Sequence, residues 1–422
     1  MLYDCWLQVA QATPERIAIH DVARARSWTF RELAAEAKAS DHQGEGIVFA
    51  EGLSVDFIVA VLRAWRLGRV CCPLEPGQLH PSLAGVFPEG VIHLKTTSAT
   101  TGESRLACFT EAQLLADVEN ISNTMGLRPD RPNLAVISLA HSYGFSNLVL
   151  PLLLHGIPLI LAGTALPEAV RRAAALEPAI TLAAVPALWQ AWHEAGAIPR
   201  NVELAISAGA PLPISLERAV FKNYCLKIHN FYGSSECGGI AFDSTTTPRL
   251  DPAMVGSLLR NVNVSVGGDG CLEVRSLAVG QTYWPKPDSS LADGVFRTSD
   301  LGEISEGVIH LRGRSSDQIN VAGRKISPEA IERALSEHPK VRQCLAFGVP
   351  CQDAQRGETI VACVAADGEL NGESLKQFVL SKLPAWQVPR EWWFVQGLEL
   401  NARGKLSRAD WRKRYLEQAK KL

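Results

Sequence analysis

Between residues 96 and 105 the chain reads Thr-Thr-Ser-Ala-Thr-Thr-Gly-Glu-Ser-Arg, so five of the first six residues carry a hydroxyl and a cation closes the stretch. Hydroxyls and free backbone N–H groups on a turn suit phosphate oxygens, and a guanidinium can pair two of them at once. Thr97, Ser98, Thr100, Thr101, Gly102 and Arg105 are therefore candidate phosphate-binding residues. The stretch follows a short apolar run, Gly90-Val91-Ile92-His93-Leu94, that reads as a strand end. It is not a Walker A loop, because the pattern GxxxxGK[ST] is absent. A solvated Ser/Thr-rich surface turn is the alternative meaning of the same composition.

The elements that must position this loop are bounded by composition. At 422 residues the chain is long for one core, so two or more domains are expected. Hydrophobic content of 47% and charged content of 20% describe a globular protein rather than a disordered one. A formal net charge of −2 lacks the basic excess of a general nucleic-acid binder. The ten cysteines form no CxxC pair. Cys71 and Cys72 are adjacent on an apparent buried strand, where successive side chains point to opposite faces. Free thiols of a reducing cytosol are expected, with a disulfide framework as the alternative. The first residues lack the basic-then-apolar order of a signal peptide. The most apolar run, Leu148–Leu161, is broken by Pro151, His155, Gly156 and Pro158 and is too short to span a bilayer. The default expectation is a cytoplasmic protein with no membrane span.

Periodicity supplies the scaffold. Thr29 and Glu32 have the spacing of a helix capping box. Strands are expected at Ile47–Ala50 and Val70–Leu74, around a helix at Asp56–Leu67 that Gly68 stops. Beyond the hydroxyl-rich loop the pattern predicts helices at Glu111–Met125, Asn147–Leu154, Pro167–Leu176 and Leu188–Glu194. Strands are expected at Leu134–Leu139, Pro158–Leu161, Leu182–Val185 and Leu204–Ser207, with a turn at His141–Phe145. This alternation predicts an α/β fold of parallel sheets covered by helices, with ligands beyond the carboxyl ends of the strands. From 250 to 312, short segments and glycine turns read as a small β module. The rest reads as α+β, with helices at Pro328–Ser336 and Gly372–Leu383, strands at Val341–Gly348 and Thr359–Ala366, and a basic helix at Arg408–Leu422. The polar link Arg314-Ser315-Ser316-Asp317 divides the chain into an N-terminal domain, 1–314, and a C-terminal domain, 315–422.

Taken in order, these stretches resemble the motifs of the adenylate-forming superfamily of acyl-CoA synthetases, peptide-synthetase adenylation domains and luciferases. The resemblance runs from about Trp28 to Arg408. Thr96–Arg105 is similar to the family's Ser/Thr/Gly phosphate loop, with Ala99, Ser104 and Arg105 where glycine, proline and lysine are usual. Ser138–Gly144 resembles the segment whose histidine, here His141, lies near the acyl pocket. Ser207-Ala208-Gly209-Ala210-Pro211 resembles the turn that packs on adenine, which implicates Gly209 and Ala210. Tyr232-Gly233-Ser234-Ser235-Glu236 matches the motif in which the tyrosine flanks adenine. Ser235 would bond the α-phosphate and Glu236 would hold Mg²⁺. Phe296–Gly302 matches the motif whose aspartate, here Asp300, grips both ribose hydroxyls, with Arg314 beside it. The run Asp317–Ile326 resembles the hinge-proximal loop, whose Gly323 would line a pantetheine tunnel. Asn401–Arg408 resembles the C-terminal motif carrying the essential lysine, Lys405. Ser316 stands where the hinge Asp or Lys is usual, and Pro76–Leu94 is shorter than in typical members.

The resemblance implies a large N-terminal domain followed by a small, mobile C-terminal one. It implies a ligase that uses ATP and Mg²⁺ to convert a carboxylic acid to an acyl-adenylate, releases pyrophosphate, and passes the acyl group to CoA or to the phosphopantetheine of an acyl or aryl carrier protein. Amino-acid-activating members carry an aspartate near Ser138–Phe145; this chain has none there, which favours an aryl or acyl acid. The expected pocket lining is Tyr143, Phe145, Ala208, Cys237, Gly238, Gly239 and Ile240, with space left by the glycines. The alternative is a catalytically weak nucleotide-binding relative with an interaction role.

Overall fold

The computed structural model describes residues 2–39, 46–81, 83, 85–97, 105–351, 357–399 and 406–419. The chain opens with helix α1 (Leu2–Ala12) and the antiparallel pair β1 (Ile17–Asp21) and β2 (Arg26–Thr29). Helix α2 (Phe30–Ala39) starts as its capping spacing predicts. Glu32 N–H donates to Thr29 Oγ1 at 3.1 Å and Thr29 N–H donates to the Glu32 carboxylate at 2.8 Å, satisfying two donors that a helix start leaves orphaned. Strand β3 (Val48–Glu51), helix α3 (Val55–Arg66) and strand β4 (Cys71–Leu74) form a parallel βαβ unit. Strands β5 (Val91–Thr96) and β6 (Leu106–Thr110) pair antiparallel and bracket the hydroxyl-rich stretch. Helix α4 (Glu111–Met125) follows directly, its first turn boxed by Thr110 and Gln113.

Next come β7 (Asn133–Ala135), the short α5 (Ser142–Gly144), a wide π-type turn at Phe145–Val149, and α6 (Leu150–His155). They are followed by β8 (Leu159–Leu161), α7 (Pro167–Ala174), β9 (Ile180–Ala184) and α8 (Pro186–Glu194). Then β10 (Val202–Ser207), α9 (Ile214–Tyr224) and β11 (Ile228–Ser234) complete the alternation. The strands β1-β8-β7-β9-β10-β11 run parallel in that order, with Leu134, Ile160, Leu182 and Ala205 buried against Trp189 and Trp192. At one margin β12 (Gly238–Phe242) and β13 (Met254–Leu258) extend this sheet antiparallel, and β2 does so at the other.

Two expectations are corrected here, and one helix had none. The strand expected over Leu134–Leu139 ends at Ala135, because Ser138 Oγ draws the N–H groups of Ala140 and His141 into a turn at 3.2 and 3.4 Å. The helix expected at Asn147–Leu154 begins earlier, at Ser142, where the His141 ring accepts the Tyr143 N–H. Helix α9 was not anticipated, because Glu217, polar in the sequence, sits on its buried face. There Glu217 takes an ion pair from Lys227 and another from Arg249 at 2.9 Å, which is what makes a fully buried carboxylate tolerable.

The β module comprises β14 (Asn263–Val266), β15 (Cys271–Arg275), β16 (Thr282–Trp284), β17 (Leu291–Ala292), β18 (Val295–Ser305) and β19 (Val308–Arg314). Strand β16 leaves it to join the second sheet, whose order is β16-β6-β5-β4-β3. The remainder is a tight hairpin, β20 (Ile319–Val321) and β21 (Arg324–Ile326), then α10 (Pro328–Ser336), β22 (Val341–Pro350), β23 (Glu358–Ala366), α11 (Gly372–Leu380), β24 (Glu391–Phe394) and α12 (Arg408–Ala419). The three strands β22-β23-β24 make one sheet whose alternation is read directly from its faces. Ala346, Ile360, Ala362 and Val364 pack on Ile331, Leu335, Leu375 and Val379, while Leu345, Phe347, Val361 and Cys363 pack on Trp411. The chain divides into two compact units. The first holds Met1–Ser265, Glu273–Arg297 and Ile304–Ile309, the second Val266–Leu272, Thr298–Glu303 and His310–Leu422. The architecture is therefore α/β with a large N-terminal part and a small α+β C-terminal part. Among the described residues no helix is long and apolar enough to cross a membrane, and all ten cysteines are free.

Candidate active site

In the first unit the phosphate-loop expectation falls on a neck that is described and a tip that is not. Thr97 N–H and Oγ1 both donate to the Arg105 carbonyl, at 2.9 and 3.1 Å, and close the base of the loop. Ser98, Thr100, Thr101 and Gly102 lie outside the described residues. Arg105 is half-exposed; its guanidinium lies 3.9 Å from the centre of the Tyr283 ring and donates to Asp288 Oδ2 at 3.0 Å. The pairing of β16 with β6 places Tyr283 opposite Ala107, which brings the ring beneath Arg105.

Tyr283 then links the cation to the carboxylate singled out in the sequence. Its hydroxyl donates to Glu236 Oε1 at 3.0 Å, while Ser234 Oγ donates to Glu236 Oε2 at 2.9 Å and accepts the Glu236 N–H at 3.1 Å. Both carboxylate oxygens are thus held in place at the tip of the β11–β12 hairpin. Burial and the adjacent Glu236 charge push the Tyr283 phenol well above its usual value, so it remains a neutral donor. Asp288 is held below the usual carboxylate range by Ser290 and then by Arg105. Sequence reasoning missed Tyr283, Ser234 and Asp288. Only the long-range pairing of β16 to β6 brings Tyr283 into the set, and no local spacing marks it.

The remaining first-unit candidates gather at the carboxyl ends of neighbouring strands. Gly209 and Ala210 follow β10, and Tyr232 and Gly233 close the adjacent β11, half-buried and exposed respectively. His141 is half-buried and caps α5, its Nδ1 accepting the Tyr143 N–H at 3.3 Å. Ser235 is half-buried beside Glu236. The expected pocket lining is corrected. Phe145, Cys237 and Ile240 are fully buried in the core. The space beside the glycines is filled, since a Cβ on Gly239 would meet Leu259 at 2.5 Å and Phe231 at 3.0 Å.

In the second unit Asp300 and Arg314 come together, Arg314 Nε donating to Asp300 Oδ1 at 2.9 Å. Gly323 forms the β20–β21 turn with Ala322, at φ of +79° and +52°, the paired left-handed conformation of a type I′ two-residue hairpin. Lys405 lies outside the described residues. Directly after it, Arg408 enters α12 and pairs with Asp317, with Glu332 at 2.8 Å and with Glu329 at 3.2 Å, and donates to the Ala346 carbonyl at 2.9 Å. Three carboxylates share one guanidinium, and burial pushes Glu332 up to about 7 against the pull of Arg408.

Among the described residues no group of three or more His, Cys, Asp or Glu side chains could hold a metal ion. A half-buried Glu236 with both oxygens fixed is nevertheless the donor set that Mg²⁺ uses with a nucleotide, where phosphates and water supply the other ligands.

Residues 86–284 match the AMP-binding enzyme family, and residues 330–405 match the AMP-binding enzyme C-terminal domain. The chain belongs to the adenylate-forming superfamily. This adenylate-forming chain is 28% identical over 381 residues to a feruloyl-CoA synthase from an Amycolatopsis species, an alignment covering 85% of the chain and 77% of that protein. It is 29% identical over 360 residues to a probable 2-succinylbenzoate–CoA ligase of Mycobacterium tuberculosis, covering 81% and 90%. ATP-bound MatB from Rhodopseudomonas palustris superimposes with a TM-score of 0.85 at 21% identity, over 98% of this chain and 99% of that one. At that identity the likeness establishes the fold.

Proposed function

We propose that the protein is an AMP-forming acid–thiol ligase: it activates a carboxylic acid with ATP to an acyl-adenylate, releases pyrophosphate and transfers the acyl group to CoA. The reaction class agrees with the CoA ligases among its relatives. The observation that carries the reading to particular residues is the set Arg105, Tyr283, Glu236 and Ser234 at the mouth of the hydroxyl-rich loop.

The chemistry asked of these residues follows from charge. A carboxylate attacking the α-phosphate of ATP brings two anions together, so cations and fixed donors must precede any bond formation. Arg105 and the hydroxyls of Ser98, Thr100 and Thr101 take the leaving pyrophosphate; Thr97, expected among them, is corrected, because it is buried with its hydroxyl committed to the Arg105 carbonyl. Mg²⁺ held by Glu236 would supply the remaining charge at the phosphates. Ser235 bonds the α-phosphate, and Tyr232, Gly233, Gly209 and Ala210 receive the adenine. Asp300, with Arg314, grips the ribose hydroxyls. Lys405 supplies the cation at the reacting carboxylate, His141 stands by the acyl carbonyl, and Gly323 gives the pantetheine arm passage. Because no aspartate lies between Ser138 and Phe145, the acid is one without an α-amine. A carrier-protein phosphopantetheine as the acceptor, and a cytoplasmic setting, belong to the same reading.

Pyrophosphate release measured over a panel of aryl and acyl acids tests it, with wild type beside Lys405→Ala. Release that needs one acid and is lost with Lys405 supports the ligase, and CoA against a holo carrier protein then identifies the acceptor. No release across the panel sinks it in favour of a non-catalytic nucleotide binder.

A further inference from the structure

Beneath the proposed site lies a buried ionic cluster that none of the reaction chemistry uses. Lys95, on β5, and Asp117, on α4, are 3% and 1% exposed and meet at 3.3 Å. Ser146, in the π-type turn, donates to Asp117 Oδ2 at 2.5 Å and accepts from Lys95 Nζ at 3.2 Å. On the other side, Asp117 Oδ1 accepts the Gly239 N–H at 3.3 Å. The approach is so close that Gly238, at φ +69°, leaves only 1.9 Å between a notional Cβ and Oδ1, so no other residue fits. His93, on the same face of β5, offers no compensating charge. Burial and then Lys95 hold it neutral, with its ring against Phe145 at 4.3 Å.

Replacing a buried ion pair with apolar side chains of similar volume is commonly neutral or stabilising, so stability alone does not explain this pair. Its connections do. Each partner of Asp117 belongs to a different catalytic segment. Lys95 leads through Thr96 into the phosphate loop, Ser146 lies five residues after His141, and Gly239 lies three after Glu236. We propose that Asp117 is a positioning residue that ties the phosphate loop, the His141 segment and the Glu236 hairpin into one register for adenylate formation. The proposal rests on the ligase reading. Asp117 touches no substrate; it acts through the three segments it holds.

The test compares two electroneutral double variants by ATP–pyrophosphate exchange. Lys95→Met/Asp117→Asn keeps an oxygen acceptor for the Gly239 N–H and turns an amide N–H donor toward Ser146 Oγ, whereas Lys95→Met/Asp117→Ala removes both contacts. The asparagine variant is expected to keep kcat within about threefold. The alanine variant is expected to lose at least about tenfold in kcat, with KM for ATP changed less than about threefold, as misplacement of reacting groups requires. Thermal melting reports the folded fraction, to which each rate is normalised. Should the alanine variant not fold, Ser146→Ala in the wild-type background frees the His141 segment alone, and a kcat loss of about threefold or more is expected. Equal kcat for the two double variants, or a Ser146→Ala enzyme indistinguishable from wild type, overturns the proposal. Wild type without exchange for any acid instead overturns the ligase reading beneath it.

Discussion

Tyr283→Phe is the sharpest perturbation of the proposed site, because it deletes one oxygen and leaves the ring that supports Arg105. The lost contact is the hydroxyl donating to Glu236 Oε1 at 3.0 Å. A hydrogen bond to a charged group contributes roughly 1.5–3 kcal/mol. Glu236 is half-buried, so water recovers part of that. A net loss of about 1–2 kcal/mol corresponds to a fall of roughly 5- to 30-fold in kcat/KM. The guanidinium remains over the ring at 3.9 Å, an interaction worth about 0.5–1 kcal/mol at an exposed site. Tyr283→Leu should therefore be worse than Tyr283→Phe by about that amount plus lost packing. The assay is ATP–pyrophosphate exchange at saturating acid, titrated with Mg²⁺, and the Phe variant should need more Mg²⁺ to reach its plateau. Because the phenol stays protonated well above its ordinary range, the defect should not change between pH 6 and 9. An unchanged kcat/KM and Mg²⁺ requirement in Tyr283→Phe would refute the idea that Glu236 is held ready by this donor.

Lys95→Met alone leaves Asp117 charged and buried without its cation, and should destabilise the first unit by roughly 3–5 kcal/mol in urea unfolding; adding Asp117→Asn should recover most of the loss. Burial pushes the thiols of Cys72, Cys108, Cys237 and Cys363 up to about 12. Ellman's reagent at pH 8 should thus label exposed Cys225 first and reach the buried thiols only on unfolding. Glu332 is raised in the folded chain from 4.5 to about 7, so the native state binds this proton more tightly than the unfolded one. Its contribution to stability is therefore full below about 4.5 and is lost as pH rises to about 7. Glu332→Gln should flatten that part of the pH–stability profile measured by urea unfolding.

Features whose cause is local were legible in the sequence. Thr29 and Glu32 announce a helix start because both halves of the capping box lie within one turn, and Pro328–Ser336 and Glu111–Met125 are helices at the bounds their apolar spacing gives. Motif order disclosed the superfamily because glycine, hydroxyl and carboxylate recur at fixed places along nearly the whole chain. What stayed hidden depends on distant partners. Glu217 looks solvent-facing until Lys227 and Arg249 are seen to neutralise it, and with it helix α9 disappears from the pattern. Tyr283 is an ordinary strand residue until β16 joins β6. Gly238 and Gly239 suggested room for an acyl tail, but the neighbouring Asp117, Leu259 and Phe231 already fill that volume.

The central claim is that an acid oxygen attacks the α-phosphorus of ATP at this site. Isotope transfer from an accepted acid labelled with oxygen-18 in its carboxylate, followed by thiolysis and mass spectrometry of the products, tests it most directly. The account predicts AMP carrying one labelled oxygen and pyrophosphate carrying none. Unlabelled AMP, or label in inorganic phosphate released with ADP, would contradict it.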